Sequence, residues 1–377
     1  MGMILFMLLP IAGMAYTGWH VWVLLPFSTL WRSVVVGFGV LCFLLLFANF
    51  GGLLERLPLP VARVSYALGT SSVIVLLYLV MAFLVLDLGR LVHIVPRSWL
   101  YSNGVAAVAL TGFMVTLLLC GRVHYYDKQR VELTLTTTKA LPRSYRLLML
   151  SDLHLGYHNT RSDLARWVDM INGEQPDAIL IAGDIVDISV APLLKDSMAA
   201  EFHRLKAPVY ASLGNHEYYA DPERARHFFD AAGITLLRDS TAIFDGAIAI
   251  IGRDDQSNRR RKSVAELVAT LNSKLSPLNS KLSTLNSPPY TILLDHQPYH
   301  LELAEQAGID FQLSGHTHRG QVWPVSWITD ALYECSWGEH QRGSTRYYVS
   351  SGLGIWGGKF RIGTQSEYVV ATLKKLQ

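Results

Sequence analysis

The chain has 377 residues, which is too long for one ordinary domain and long enough for two. Half of its residues are hydrophobic and only 17% are charged, whereas soluble proteins have about 25% charged residues, so a membrane part is expected. The net charge of +3 is too small to indicate a nucleic-acid-binding protein. The three cysteines include no CxxC pair, which excludes a disulfide framework and a cysteine-type zinc site.

Residues 1–121 are predicted to form an all-α transmembrane bundle. Four apolar stretches without Asp, Glu, Lys or Arg lie at about residues 3–25, 33–54, 64–86 and 102–121, and each is long enough for a helix that crosses a bilayer. A soluble helical core is the alternative, but four charge-free runs in succession are hard to bury otherwise. A cleaved signal peptide at the first run is disfavoured because no basic residue precedes it and three further runs follow.

Four spans place both chain termini on the same side of the membrane. Six basic residues flank the spans on that side and three flank them on the other, namely Arg56, Arg63, Arg122, Lys128, Arg130 and Lys139 against Arg32, Arg90 and Arg97. Because cytoplasmic loops carry the excess of Lys and Arg, the second half of the chain is predicted to be cytoplasmic. A bacterial inner membrane is the expected location, with the lipid bilayer as a partner.

After a linker over residues 122–145, the pattern changes to a predicted α/β domain over residues 146–377. Strand-like apolar runs alternate with amphipathic helical stretches, which predicts an α/β sandwich with central sheets. The strand-like runs are 147–150, 178–181, 209–213, 247–251, 291–294 and 311–313, and the helical stretches include 163–171 and 193–205.

A flexible insertion is predicted over residues 257–289. Residues 271–287 repeat with a period of seven and are rich in Ser and Asn, and Pro277 would break the coiled coil that a heptad suggests. A basic run precedes the repeat, formed by Arg259, Arg260, Arg261 and Lys262. This run is either a solvated loop or a contact for anionic headgroups or a phosphorylated substrate.

Five polar motifs each follow a strand-like run. They are Asp152-Leu153-His154, Gly183-Asp184, Gly214-Asn215-His216-Glu217, Asp295-His296 and Gly315-His316-Thr317-His318. Because ligands bind at the carboxyl ends of strands in α/β folds, the motifs are expected to converge on one site.

The motifs supply the side chains of a metal centre. Asp152 and His154 are two residues apart, so in an extended segment both side chains reach one ion, and His316 and His318 repeat this spacing. Asp184 is suited to bridge two ions, since two close cations need a carboxylate between them. Paired ions neutralise a phosphate ester and activate water, and a mixed N/O ligand set suits Mn, Fe, Zn or Co.

The ordered motifs resemble those of the calcineurin-like metallophosphoesterases over about residues 145–374. The runs at 315–321 and 348–354 look like the bacterial membrane-associated branch of that superfamily. The resemblance implies a four-layer α/β/β/α sandwich. It also implies one metal held by Asp152, His154, Asp184 and His318, and a second held by Asp184, Asn215, His296 and His316.

The resemblance further implies that His216 is the catalytic histidine, which protonates the leaving group or stabilises charge in the transition state. Glu217 is predicted to orient His216. Arg319 stands where many relatives carry glycine, and either contacts substrate phosphate or shapes the turn. Ser351 occupies a place where some relatives have arginine, so their substrates are a poor guide to the substrate of this chain.

The sequence therefore predicts a membrane-anchored phosphoesterase with a two-metal site that hydrolyses a phosphate ester or pyrophosphate. Its expected substrate is a phosphorylated small molecule or lipid, and no nucleic acid is expected as a partner. One alternative is a membrane signalling or scaffold protein whose metal domain binds a ligand without catalysis. Another is a phosphodiesterase for soluble nucleotides.

Overall fold

The structure is a computed structural model that describes residues 2–48, 52–281 and 288–376. It divides into two compact units. The first unit contains Met1–Val123 with Gly357–Lys359, and the second contains His124–Trp356 with Phe360–Gln377.

The first unit is built from long apolar helices. They are α1 (Gly2–Leu24), α2 (Thr29–Ala48), α3 (Leu59–Leu91) and α4 (Gly104–Tyr126), with short 3₁₀ turns at Leu53–Arg56 and Arg97–Trp99. Among the described residues, α2, α3 and α4 are long and apolar enough to cross a membrane. Three candidate spans are thus present, and the fourth stays a prediction.

Close backbone approach and one polar cluster hold the helices of this unit together. A side-chain carbon on Gly69 of α3 would lie 2.7 Å from the backbone nitrogen of Leu46 in α2, so only glycine allows this contact. Asp87 of α3 accepts a hydrogen bond from the Tyr16 hydroxyl of α1 at 2.8 Å and lies 3.0 Å from His20 Nε2. The apolar packing therefore includes one polar link between α1 and α3.

The second unit is an α/β domain, as the sequence predicts, and it contains two mixed six-stranded sheets. The first sheet has the order β1-β12-β2-β3-β4-β5 and the second has the order β10-β11-β9-β8-β7-β6. The strands are β1 (Lys128–Thr137), β2 (Tyr145–Leu150), β3 (Ala178–Ala182), β4 (Val209–Ser212), β5 (Thr235–Leu236), β6 (Ser240–Phe244), β7 (Ile248–Gly252), β8 (Tyr290–Leu294), β9 (Phe311–Ser314), β10 (Gly338–Arg342), β11 (Thr345–Val349) and β12 (Ser366–Lys375).

Eight helices accompany these strands in the described part of the second unit. They are α5 (Arg161–Gly173), α6 (Ala191–Lys195), α7 (Ala199–Phe202), α8 (Asn215–Tyr219), α9 (Pro222–Ala231), α10 (Val264–Lys281), α11 (Glu302–Gln306) and α12 (Val325–Leu332), with a 3₁₀ turn at His318–Gly320.

Strand β1 lies in the segment that the sequence analysis predicts to be a linker. It pairs in parallel with β12 along its whole length, from Lys128 to Thr137. Leu133 and Leu135 are buried while their neighbours are exposed, and this alternation is the pattern of a half-buried strand. Only Asp127 separates α4 from β1. The segment predicted as a linker over residues 122–145 therefore contains the end of α4 and the whole of strand β1.

Successive side chains along the central strands point to opposite faces of the sheet and pack into two separate apolar clusters. In β2, Leu147 and Met149 join a cluster that contains residues of both sheets, including Ile248 and Phe311. Leu148 and Leu150 point the other way, into a cluster with α5 and α9. This is the period of two that a strand buried on both faces requires.

The predicted flexible insertion contains a packed helix. Helix α10 spans Val264–Lys281, and its Leu267, Leu271 and Leu275 are buried against residues of β7 and β8. Of the leucines in the predicted heptad, Leu271 and Leu275 therefore lie on one apolar face of an amphipathic helix. Residues 282–287 of the predicted insertion lie outside the described residues.

Replacing Leu267 with alanine will test the packing of α10. Because this side chain is fully buried, we expect the free energy of unfolding to fall by about 2–5 kcal/mol. Leu194→Ala is the matched control, since Leu194 is 56% exposed, and a change within about 0.5 kcal/mol is expected there. Thermal melts of both variants in detergent measure the difference, and equal melting temperatures would contradict the burial of α10.

Candidate metal centre

The five motifs lie at the carboxyl ends of strands that are neighbours in their sheets. In the first sheet, the parallel strands β2, β3 and β4 are adjacent and lead to Asp152, Asp184 and Asn215. In the second sheet, the parallel strands β8 and β9 lead to His296 and His316. The order of the strands therefore brings motifs that are far apart in sequence to the same region of the domain.

One group of side chains surrounds His154 Nε2. This atom lies 3.0 Å from His318 Nε2 and 3.7 Å from an oxygen of both Asp152 and Asp184. His318 Nε2 lies 3.5 Å from the same Asp152 oxygen. Asp152, His154 and His318 form a buried cluster whose ligand atoms are close enough to hold one ion.

A second group surrounds the other side of Asp184. His296 Nε2 lies 3.1 Å from Asp184 Oδ2, and His316 Nδ1 lies 2.8 Å from Asn215 Oδ1. Asp184, His296 and His316 form another cluster of suitable size for an ion. Because Asp184 belongs to both groups, its carboxylate is the shared element of the site.

Among the histidines of the two groups, His318 and His316 are in the neutral form that a cation requires. Burial lowers the pKa of His318 to about 3 and that of His316 to about 4, so both imidazoles are neutral at pH 7. Burial raises the pKa of the Asp152 carboxyl, but the neighbouring His318 and His154 outweigh this effect and keep the pKa below its ordinary value. Neutral imidazoles and ionised carboxylates are the forms that bind metal ions.

The charge of His154 depends on the carboxylates around it. Burial lowers the pKa of this imidazole, but its contacts with Asp152 and Asp187 outweigh burial and raise the pKa to about 10. In the absence of an ion, a proton on His154 thus supplies positive charge among buried carboxylates. That proton allows His154 Nε2 to donate to the neutral His318 Nε2 at 3.0 Å. The mixed N/O donors of the group also fit a metal such as Mn, Fe, Zn or Co.

The backbone at the site is in an uncommon conformation. The φ angles are 55° at Asp152, 45° at His154, 53° at Asp184, 72° at His316 and 48° at His318. The spacing of Asp152 and His154 predicts an extended segment, whereas both residues have left-handed φ values. Such strain clusters at functional sites, where the surrounding structure holds it.

Two glycines leave room for the carboxylates. A side-chain carbon on Gly214 would overlap the Asp184 carboxylate, and one on Gly315 would overlap that of Asp152. The glycines in the motifs therefore allow the ligand loops to approach each other closely.

Asp187 is a site residue that the sequence analysis missed. Its Oδ1 atom lies 3.1 Å from His216 Nδ1 and 3.4 Å from His154 Nδ1, and the residue is buried. Burial raises the pKa of the Asp187 carboxyl, but the contacts with His154 and His216 outweigh burial and lower the pKa, so the carboxylate stays ionised. Its position three residues after Asp184, at the end of Gly183–Asp187, is the signal that could have found it.

Glu217 has a different place from the one predicted. It accepts backbone hydrogen bonds from Gly214 at 2.7 Å, Val186 at 2.9 Å and Asp184 at 3.1 Å. The sequence predicts that Glu217 orients His216. In the structure, the carboxylate that lies beside the His216 imidazole belongs to Asp187, at 3.1 Å. Glu217 instead connects the two ligand loops after β3 and β4. Burial and the nearby Asp184 raise its pKa to about 7.

We expect Glu217→Gln to destabilise the ligand loops. A glutamine oxygen can replace one carboxylate oxygen, but its amide group donates and cannot accept the remaining backbone hydrogen bond. An unmet buried donor costs about 1–3 kcal/mol. Thermal melts will measure the loss, with Glu223→Gln on the exposed face of α9 as the control, and equal melting temperatures for the two variants would contradict this role.

Two further buried residues fix the ligand loops. Asn159 donates hydrogen bonds at 3.0 Å to the carbonyls of Leu153 and His154, and accepts one from the Tyr125 hydroxyl at 2.6 Å. Arg361 is fully buried and donates to the His318 carbonyl at 2.6 Å. Neither residue belongs to a motif, so only the folded chain reveals them.

The remaining predicted contacts lie at the edge of the site. The Arg319 guanidinium lies 3.9 Å above the Trp337 ring, and the φ angle of Arg319 is 50°. In the basic run, Arg261 contacts Asp295 at 3.1 Å, while Arg259 and Arg260 are exposed. The run thus combines a structural ion pair with exposed arginines.

Comparison with known proteins adds an independent finding. The family model described as calcineurin-like phosphoesterase matches residues 145–320. A metallophosphoesterase of Helicobacter pylori is 29% identical over 263 residues, which are 68% of each chain. One of Aquifex aeolicus is 30% identical over 255 residues, covering 65% of this chain and 92% of the relative. A transmembrane protein with metallophosphoesterase domain of Danio rerio is 29% identical over 316 residues, covering 76% and 68%.

Proposed function

Because the chain belongs to the calcineurin-like phosphoesterases, a family of hydrolases that act on phosphoric ester bonds, we propose that it hydrolyses a phosphate ester or pyrophosphate at two metal ions. The observation that supports this proposal most is the position of Asp184. Its carboxylate belongs to two adjacent clusters of ligand atoms, one with His154 and one with His296 and His316. A shared carboxylate is what two neighbouring cations require.

The proposed ligands follow the two clusters. One ion would be held by Asp152, His154, Asp184 and His318, and the other by Asp184, Asn215, His296 and His316. Bound metals of this kind neutralise phosphate oxygens and lower the pKa of water. The buried residues Asn159, Arg361 and Glu217 keep the ligand loops in place, so the chain supplies a preorganised cradle for the phosphoryl group.

His216 is the proposed proton donor. Its Nδ1 faces Asp187 at 3.1 Å, so Nε2 is the atom left to face a substrate. From that position the imidazole gives a proton to the departing ester oxygen as the P–O bond breaks. The Asp187 carboxylate holds the ring in the required orientation, as carboxylates do for other catalytic histidines.

The membrane part completes the proposal. We infer four spans and a cytoplasmic catalytic domain in a bacterial inner membrane, supported by the three apolar helices and the excess of basic residues on one side. A four-layer domain is supported by the apolar cluster shared by the two sheets and by the separate clusters with α5 and α10. A lipid-linked phosphoester is the proposed substrate class, because the apolar helices would anchor the catalytic domain to a bilayer.

The test uses the full chain in lipid nanodiscs. Bound metal is measured by elemental analysis, and hydrolysis of bis-p-nitrophenyl phosphate is measured with added Mn. Two metal ions per chain together with hydrolysis are the expected result. Bound metal without hydrolysis of any phosphoester offered would favour a signalling or scaffold protein that only binds a ligand. Absence of both would overturn the proposal.

Substrate choice is tested in the same nanodiscs. Hydrolysis of a lipid phosphoester in preference to soluble nucleotides supports the proposed substrate class. The reverse preference would indicate a phosphodiesterase for soluble nucleotides.

A further inference from the structure

Helix α12 presents an apolar surface to solvent beside the metal-ligand loop. Its Trp327, Ile328 and Leu332 side chains are 65%, 57% and 70% exposed, and the preceding Trp323 is 38% exposed. The rings of Trp323 and Trp327 meet edge to face with centroids 5.4 Å apart. We name these four side chains the α12 apolar face. A contiguous exposed patch of this kind marks an interaction surface.

The α12 apolar face is joined to the ligand loop at both ends of the helix. At its start, Gly320 packs so tightly that a side-chain carbon there would overlap the backbone of Ser326. After its end, the Tyr333 ring lies 6.4 Å from the ring of the proposed ligand His316. A surface that contacts α12 therefore also fixes the distance to the metal centre.

Other aromatic side chains and one arginine lie beside the residues of the metal centre. Tyr219 is 65% exposed and its ring lies 5.0 Å from that of His216. The Arg319 guanidinium stacks on the half-exposed Trp337, and the Tyr299 hydroxyl lies 2.7 Å from that of Tyr333. Aromatic residues close to basic side chains are typical of a membrane–water interface, where amphipathic rings lie at the level of the lipid headgroups.

A lipid bilayer is the occupant that these observations favour. The same chain carries three helices that are able to cross a membrane, and only Asp127 separates the last of them from the first strand of the domain. The four side chains of the face are uncharged, and the exposed Asp330 of the same helix accepts a hydrogen bond from Ser336. Contact through the face therefore depends on apolar burial and not on attraction to a polyanion. An amphipathic helix with tryptophan and aliphatic residues on one side lies in the plane of the lipid headgroups.

We propose that the α12 apolar face inserts into the headgroup layer of the bilayer and holds the metal centre beside phosphoesters in that layer. The part of this inference that concerns the reaction rests on the proposed function. The part that concerns membrane contact rests only on the α12 apolar face. Two measurements on the full chain separate these parts.

The first measurement detects lipid contact without activity. Leu332→Cys carries a fluorescent nitrobenzoxadiazole label in nanodiscs that contain doxyl-labelled phosphatidylcholine, in a background with Cys42, Cys120 and Cys335 replaced by alanine. Leu194→Cys is the matched control, because Leu194 is also exposed in the same domain. We expect quenching at position 332 to exceed that at 194 about threefold or more. Equal quenching at both positions would overturn the proposal. This is also the result expected if a second copy of the chain, and not lipid, covers the α12 apolar face.

The second measurement compares two substrates with one leaving group. The double variant Trp327→Gln and Leu332→Gln is assayed on phosphatidyl-p-nitrophenol in the nanodisc and on soluble bis-p-nitrophenyl phosphate, with Leu194→Gln as the control. We expect a loss of about tenfold on the lipid ester and no loss on the soluble ester. Equal losses on both esters would show that α12 only supports the ligand loop, and no loss on either would also overturn the proposal. A wild-type chain without activity but with strong quenching at 332 would refute the proposed function and leave the membrane contact standing.

Discussion

Asp184→Asn will reduce phosphoester hydrolysis by roughly 10³-fold or more, which corresponds to about 4 kcal/mol of transition-state stabilisation. The Asp184 carboxylate lies 3.1 Å from His296 Nε2 and 3.7 Å from His154 Nε2. It is therefore the group that both ligand clusters share. Asparagine keeps the shape but removes the negative charge that two adjacent cations need. Elemental analysis is expected to show fewer than two bound metals per chain.

A matched substitution makes this result specific. Asp187→Asn removes a neighbouring buried carboxylate of the same loop without removing a proposed ligand, so it is expected to keep the full metal content. If Asp184→Asn kept both metals and most of its activity, the bridging role would be wrong. Equal metal loss in both variants would point to general disruption of the loop after β3.

The sequence is informative about the site because the ligands lie in short motifs at strand ends. Asp152, Asp184 and His296 each follow an apolar run, and parallel strands bring such positions together. The prediction of the family, of an α/β domain and of apolar N-terminal helices is confirmed. The assignment of individual ligands stays a prediction that the two clusters support.

Other features depend on contacts that a linear pattern does not show. Asp187 contacts His216 only because the chain turns after Asp184, and Arg361 reaches the His318 carbonyl from 43 residues away. Strand β1 lies in a polar segment whose partner, β12, lies near the end of the chain. Leu271 is buried although its Ser- and Asn-rich surroundings are typical of loops. In each case tertiary packing outweighs local composition.

His216→Ala will lower activity by about 10²–10⁴-fold while the metal content stays unchanged. The proposed role is donation of a proton to the departing oxygen. The size of the loss must therefore depend on the leaving group, because p-nitrophenolate departs readily without a proton and an alkoxide does not. We expect a small loss on p-nitrophenyl esters and the full loss on alkyl esters. His216 also lies close to His154 and Asp184 in a cluster that could hold an ion, so loss of metal from His216→Ala would assign it as a ligand instead.

Asp187→Asn should also lower the rate of alkyl ester hydrolysis, but by less than His216→Ala. An asparagine at 187 no longer places a carboxylate 3.1 Å from the His216 imidazole, and losses of about 10–100-fold are typical when such supporting groups are removed. Because Asp187 acts through His216, the double variant should be no slower than His216→Ala alone. Losses that instead multiply would show that Asp187 acts through His154, which it also contacts at 3.4 Å. Kinetics of the two single variants and the double variant on one alkyl ester, with Asp230→Asn on the exposed side of α9 as the control, distinguish these routes from one another.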